Sequence, residues 1–593
     1  MEKDSHYSEE IRAVDHRFTR YMFRRQFFPA LVSFITLAIG DIADALVIGN
    51  RMGAAGLAAI SFAMPIYMVY YVLMFSLGLG GAVRYSGQMA RGKEQEALSG
   101  FQGIICMLLL LGGGIALIGN LLAGPLLGFL GSSPENPVLY STTMIYVRLL
   151  LIAAPFYFFA YGIAYFMRNA NLEKEAGIGA SAGNICDISL NVILVLFCDL
   201  GAAGAGIATL SGVVLTSVMD LVFVHLRHSP LRFCPLRPNF TGIWQCFCSG
   251  FSGNVTHVWT MIFVLIVNHL MMRMAGETGV AVFDVIQNIG YVISYLYAAV
   301  SQAAQPILST FHNEYNYHSC WETEKVGIMT SLLIGVSAAV LIAFFAQQVC
   351  GFFGLRNAEE ISLGIIAIRI FCFSTFFGGI NTVLCEFCMA RDMTFPAFLS
   401  STLRGAVILI PAALIFSRFG RRYFWLLYPV TEILSLTIFL LYLRFGYHAK
   451  NTIPSERIYY GLLRAKTAHI DDILSEIEAF CKHWYGGDRQ CYLVRLTVKE
   501  LCTTILVKGF GPECNPDGLI RITLAAAEDG TFILNIRDNA AAFDPFALKQ
   551  SNLTEVGTSE IDPAVFGVET VMKYSRKFFY RRYEGFNTLM ITI

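Results

Sequence analysis

At 593 residues, 55% hydrophobic and only 15% charged, with a mean hydropathy of +0.56, the chain lies far on the apolar side of soluble-protein usage and reads as a polytopic membrane protein. The formal net charge is zero, so composition offers no argument for nucleic acid as a partner. The 15 cysteines are scattered, many within apolar stretches where Cys packs as a small hydrophobe, and the Cys385-x-x-Cys388 pair has no second pair or His set beside it, so neither disulfides nor metal chemistry is expected.

Residues 1–26 are polar and of mixed charge, without a short apolar region and cleavage site, and are expected to stay in the cytoplasm. Phe27–Ile48 and Leu57–Val83 each exceed the roughly 20 residues a helix needs to cross a bilayer core, and the Gly-rich link Asn50–Gly56 joins them. Hydropathy then predicts spans at Phe101–Leu122, Val138–Phe166, Ile178–Phe197 and Ala203–Leu226. After a loop with Arg227, Arg232 and Arg237 it predicts Ile243–Met272, Val280–Leu308, Val326–Val349, Ile361–Met389, Ala397–Phe416 and Tyr423–Leu443. About twelve helices result. With the N-terminus inside, alternate loops put Arg20, Arg24, Arg25, Arg84, Arg91, Lys93, Arg168, Lys174, Lys325 and Arg391 on the cytoplasmic face, against a smaller outer set that includes Arg418, Arg421 and Arg422.

The chain repeats itself. Asn50–Ile66 aligns with Arg273–Ile289, matching Gly53 to Gly276 and Gly56 to Gly279 at an offset of about 223 residues, and the same offset sets Arg168-Asn169 on Arg391-Asp392. The expected architecture is two six-helix lobes, 27–226 and 243–450, joined by a linker at 227–242, with the substrate site between the repeats.

From Ser455 to the end the sequence is amphipathic and charged, so 455–593 is expected to be a small α+β domain, cytoplasmic because the helix count is even. Ser455–Cys481 and Cys491–Val507 read as helices, Leu519–Ala526 and Thr531–Arg537 as strands, Asp538–Pro563 as a loop, Ala564–Tyr574 as a helix, and Lys577–Tyr583 with Asn587–Ile593 as a hairpin.

Carboxylates inside a membrane helix are costly and mark ion paths. Asp41 and Asp44 share a helical face in the first span, and Asp187, Glu386 and Glu432 lie mid-span, where desolvation favours taking up a proton on one side and releasing it on the other. The competing reading is a structural ion pair or hydroxyl contact. Asp220 and Arg404, nearer span ends, are expected to reach the interface.

The run Asp44-x-x-x-x-Gly49-x-x-x-Gly53, followed by LAAISFAMPI, LGLGGA and the basic RGKEQEA loop, resembles the MATE (multidrug and toxic compound extrusion) transporters. MRNANLEKEA, GAAGAGIAT, AVSQAAQPILSTF and WLLYPVTEIL are similar to further signatures of that family. The resemblance implies that Asp44 is the first-helix Asp used for cation coupling and that Glu432 occupies a P-x-x-E position. Where the family shows N-x-x-x-D, this chain has the reverse order, Asp187 and Asn191, so the identity of the coupled cation does not carry over.

The tail resembles the anti-sigma-factor kinase branch of the GHKL (histidine-kinase-like) ATPases. That resemblance sets Glu500 at the acidic position of the first box, Asp538 at the adenine-reading position and Gly567 at the start of the last helix. The magnesium-holding Asn of the family is Thr504 here, and the DxGxG motif reads Asp538-Asn539-Ala540-Ala541-Ala542, without the glycines that let a backbone approach a ligand closely. A degenerate domain that binds a regulatory protein partner is the favoured reading, with weak binding of ATP and magnesium as the alternative.

The expected function is an antiporter in a bacterial inner membrane, surrounded by lipid, that couples H+ or Na+ entry to export of organic compounds, with no further cofactor for transport and a regulatory tail. The rivals are a membrane sensor with a signalling tail and a lipid flippase.

Overall fold

The computed structural model describes residues 9–130, 137–227, 230–231, 240–353, 355, 358–446, 453–465, 470–484, 487–511, 518–547, 563–583 and 585–593; the side chains of 9–11, 41–46, 48–62, 129–130, 137–139, 240–241, 272, 276–277 and 563–566 lie outside the described set. Among the described residues, 12 helical segments are long and apolar enough to cross a membrane. Lipid offers backbone groups no hydrogen-bond partner, so a chain this apolar resolves into helices that satisfy their own. Large apolar side chains such as Leu117 and Leu121, and Leu333 and Phe344, stand exposed on the outer faces.

In the first half, α1 (Glu9–Ala90) carries two spans, Arg12–Gly40 and Ala63–Ala90, on either side of the Gly-rich link. It is followed by α2 (Glu94–Leu121), the short α3 (Ala123–Leu130), α4 (Pro137–Asn169), α5 (Glu173–Asn191) and α6 (Gly201–Leu226). The second half comprises α7 (Phe240–Asn254), α8 (Thr256–Asn313), α9 (Tyr317–Phe344), α10 (Ala346–Phe352), α11 (Ala358–Ala390), α12 (Thr394–Thr402), α13 (Leu409–Phe416) and α14 (Leu427–Leu441). The first helix begins well before Phe27, because Met22 and Phe23 are apolar and pack with Phe27 and Ala30 against Ala303–Phe311 of α8. Val83 and Ser86 meet the same end of α8, at Ser309 and Thr310, so the two spans of α1 run in opposite directions.

The repeat is visible in hydrogen bonds. At four turns a residue with positive φ, Gly92 (68°), Asn171 (63°), Tyr315 (60°) and Asp392 (58°), ends a helix. The next residue's N–H then reaches back to a carbonyl of the last turn: Lys93 to Gln88 (2.9 Å), Leu172 to Met167 (2.9 Å), Asn316 to Phe311 (3.0 Å) and Met393 to Cys388 (2.8 Å). This six-to-one bond closes a helix and satisfies an orphan carbonyl. Two such turns lie in each half.

Within the first half, α5 and α6 approach through small residues. A Cβ on Gly212 would lie 2.7 Å from the Gly183 carbonyl oxygen and 2.9 Å from Asp187 Cβ. The halves meet at the end where the four turns lie, through Asn169 Nδ2 donating to Gln305 Oε1 (3.2 Å), Ser86 with Thr310 (3.2 Å), and Ser309 Oγ donating to the Val83 carbonyl (3.2 Å).

The tail is a five-stranded antiparallel sheet of order β1-β2-β3-β5-β4, with strands at Ile458–Arg464, Leu519–Ala526, Phe532–Asp538, Lys577–Tyr583 (β4) and Phe586–Thr592 (β5). Among the described residues, three helices pack with it: α15 (Ile470–Trp484), α16 (Asp488–Thr504) and α17 (Pro563–Tyr574). One sheet face, with Ile520, Ile522, Leu534, Ile536, Leu589 and Ile591, packs in a shared core with Leu474, Ile477, Val494, Val498 and Val568 of the helices. The helix expected over Ser455–Cys481 is corrected: a 3-10 turn at Ser455–Arg457 leads into β1, and only Ile470–Trp484 is helical. Both faces of Ile458-Tyr459-Tyr460 are buried, so the strand's polar–apolar alternation is missing from the sequence.

Gly212→Leu is expected to force α5 from α6 and cost about 3 kcal/mol, whereas Gly113→Leu, with open space around it, should be near neutral; thermal unfolding of the purified protein in detergent distinguishes the two.

Candidate functional site

Asp41 and Asp44 lie on the helical backbone of α1, but their side chains are outside the described residues. Asp187 and Asn191 sit one turn apart at the end of α5, where the backbone widens into a π-helical turn at Val192–Phe197. Such turns interrupt α-helices frequently at functional sites. Asp187 is half-buried, Asn191 is buried, and Asp187 lies within electrostatic range of the Tyr157 hydroxyl.

From Tyr157 an aromatic surface runs across the bundle toward the second half. Tyr157 stacks on Tyr161 (ring centroids 6.0 Å) and meets Tyr67 edge-on (6.1 Å); Tyr71 stacks on Phe75 (5.4 Å), and both approach His257 of α8 (5.7 and 6.0 Å). Tyr67 and Tyr146 share a hydroxyl contact of 3.3 Å. The half-buried rings at 67, 71, 75, 157 and 161 offer flat apolar faces edged with hydroxyls, which suit bulky organic molecules. None of these residues is among the site residues the sequence points to. The signal was the four-residue spacing of Tyr157, Tyr161 and Tyr165, which aligns them on one helix face.

In the second half Glu432 of α14 is held on every side. Arg404 Nε donates to its Oε1 (2.6 Å) and Asn381 Nδ2 to its Oε2 (2.7 Å), while Arg404 Nη1 reaches Thr382 Oγ1 (2.6 Å). Arg404 lies in a second π-helical turn, Leu403–Val407. It therefore does not extend to an interface as expected but closes an internal ion pair. Asp220 is corrected likewise: it is fully buried between α6 and Gly179 of α5, its carboxylate oxygens accept no hydrogen bond from the described residues, and Arg168 lies within electrostatic range. Glu386 of α11 is half-buried and within electrostatic range of Tyr165 in the other half. Cys385 contacts Ser401 of α12 (3.2 Å) and Cys388 is buried, which is packing.

In the tail, Glu500 and Gly567 adjoin, for a Cβ on Gly567 would collide with the Glu500 carboxylate. Thr504 is buried one turn after Glu500, at the start of another π-helical turn, Ile505–Gly509. Asp538 Oδ1 accepts from Asn587 Nδ2 (2.8 Å) and from the Ala540 amide (2.9 Å), and Asn587 Nδ2 also donates to the Ala541 carbonyl (2.8 Å). The loop in which the sequence lacks its glycines is thus tied to the β5 strand. Burial pushes the Asp538 carboxyl up to about 6, against the pull of the Asn587 amide.

Removing one partner of a buried ion pair leaves the other uncompensated, so Glu432→Gln is expected to destabilise the protein by about 3 kcal/mol, and Arg404→Met combined with Glu432→Gln to recover part of the loss, read as thermal midpoints. Asp538 in the folded tail holds a proton above its ordinary pKa of 3.8, so the folded state binds more protons between pH 4 and 6 and stability falls as pH rises through that window. Asp538→Asn should flatten that slope, worth about 1–3 kcal/mol, in tail unfolding followed by hydrogen exchange from pH 4 to 7.

The MatE family model matches residues 29–193 and 250–415, more than half of the chain and one segment in each half. A Bacillus subtilis (strain 168) protein described as "Probable multidrug resistance protein YoeA" is 22% identical over 441 residues, covering 71% of this chain and 93% of that protein. Among solved structures, the outward-facing conformation of a multidrug resistance MATE family transporter of the MOP superfamily superposes with a TM-score of 0.67 at 19% identity, covering 72% of this chain and 95% of the other. A MOP superfamily transporter from Pyrococcus furiosus Vc1 (DSM3638) matches with a TM-score of 0.67 at 18% identity over the same shares. With its two matched halves, its twelve candidate spans and this shared fold, the chain belongs to the MatE family of multidrug efflux transporters, multi-pass membrane proteins that are not enzymes.

Proposed function

We propose that the protein is an antiporter that exports bulky organic compounds in exchange for H+ or Na+ entering the cell. The carrying observation is the tyrosine and phenylalanine surface of the first half at Tyr67, Tyr71, Phe75, Tyr157 and Tyr161, with Asp187 near one end and His257 of the second half at the other. Asp41 and Asp44 belong to the same lobe and are the coupling carboxylates in this reading, with Asp187 and Glu386 as further proton carriers. Glu432, locked to Arg404 and Asn381, acts as a structural anchor instead. The multidrug resistance description of the Bacillus subtilis relative supports the substrate class.

The end of the bundle with Arg25, Arg84, Arg91, Lys93, Arg168 and Lys174 faces the cytoplasm by the positive-inside rule, and the tail with it. The tail, from about 455, is a regulatory domain of GHKL-like fold. With Thr504 in place of the metal-holding Asn and the Asp538 loop tied to Asn587, nucleotide turnover is not its role in this reading.

The test is uptake of a fluorescent organic cation by proteoliposomes under imposed proton or sodium gradients. Wild type should move the dye under one gradient, and Asp44→Asn should lose at least tenfold of that rate. Wild type that moves no dye under either gradient overturns the antiporter reading in favour of a membrane sensor.

A further inference from the structure

The tail's second sheet face is not solvent-exposed. Along β2 and β3 the residues alternating with the helix-packed core are Arg521, Thr523, Asn535 and Arg537, polar side chains of which Arg521, Thr523 and Asn535 are buried and Arg537 nearly so. An antiparallel sheet ordinarily turns such residues to water. Here they meet the transporter at the end where its halves join. Arg537 pairs with Glu314, Asn535 Nδ2 donates to the Glu314 carbonyl (3.2 Å), and the Tyr460 hydroxyl donates to the Tyr315 carbonyl (3.1 Å); these contacts all fall on the second half. On the first half, Arg581 Nη2 donates to the Asn169 carbonyl (2.9 Å), Asn171 Nδ2 donates to the Arg582 carbonyl (3.3 Å), and Phe579 covers Gly92. Arg521 pairs with Asp15 at the start of α1 (2.9 Å), and both side chains are more than nine-tenths buried.

The tail therefore holds three of the four six-to-one turns, two in one half and one in the other. It does so beside the bonds that join the halves. The residue whose carbonyl receives Arg581 is the one whose side chain donates to Gln305, and Arg537 lies over the ring of Phe311 (4.8 Å), next to Thr310, the partner of Ser86. Separation of the halves at this end must part Asn169 from Gln305 and Ser86 from Thr310. A rigid sheet anchored on both sides opposes that movement.

We propose that the tail domain is an internal lock: it clamps the two halves together at their junction, and this end opens only after the sheet releases one of its two sides. The inference deepens the transporter reading given above, and it names a contact whose release regulates alternating access. Buried ion pairs suit such a device, because each is stable when intact and strongly destabilising when one partner is lost.

The test uses the full chain in lipid nanodiscs, with Arg537→Glu, Glu314→Arg and the two combined. Amide hydrogen exchange is followed in 165–172 and 309–316, the turns of the two halves, and in the tail strands. The lock predicts that each single reversal raises exchange at least fivefold in both sets of turns, and that the combined reversal restores protection. In proteoliposomes the single variants should transport at least twofold faster than wild type. If the tail strands lose protection while both sets of turns stay as protected as in wild type, the tail merely rests on the transporter and the lock is wrong. Should a charge reversal fail to fold, Arg581→Ala with Tyr460→Phe removes one anchoring bond on each side, and the same two exchange outcomes decide. Because exchange needs no substrate, failure of the antiporter reading and failure of the lock remain distinguishable.

Discussion

Polar groups shut away from water must find one another, and at the junction of the two halves this requirement settles the arrangement of everything nearby. Asn169, Gln305, Ser86, Thr310 and Ser309 are all buried, and each leaves a costly unsatisfied group if the halves separate without water or another partner replacing it. The helix ends that carry them are fixed by the six-to-one turns, so their positions follow from backbone closure rather than from side-chain choice. Elsewhere along the bundle the aromatic surface of the first half meets the second half at His257.

The tail draws on the same requirement from outside. On β4 the side chains alternate: Arg581 faces the transporter, while Tyr580 and Arg582 both reach Asn587, the residue that holds Asp538. One short strand thus touches the Asn169 turn with one face and the Asp538 loop with the other. A change in the hydrogen bonding of that loop has a covalent route of one residue to the contact with the first half.

Much of this was legible in the sequence. Twelve spans follow from hydropathy alone, and the offset between the halves seen in glycine and Arg-Asn/Asp positions reappears in the closing turns at Gly92 and Tyr315. Strands β2 and β4 were predicted with their observed bounds, because alternation and turn residues mark them clearly. The features the sequence leaves unmarked have a common cause: sequence period reports an element with one wet side. Strand β1 has none, since helices cover one face and the transporter the other. Asp220 and Arg404 were placed by distance from span ends, a measure blind to which helix lies alongside; Gly179 and Glu432 decide their surroundings, and both are distant in the chain. The aromatic surface is assembled from α1, α4 and α8, so only the part on α4 had a local pattern to read.

Each half contributes six of the twelve candidate spans. An even count returns the chain to the side from which it started, so a duplicated copy inserts in the orientation of the first without any change in its loop charges. That is why positive-φ turns at Gly92 and Asn171 have counterparts at Tyr315 and Asp392 on the same end rather than the opposite one. Had the ancestral unit held five spans, its second copy would have entered upside down, and no single sheet could have reached matching turns of both.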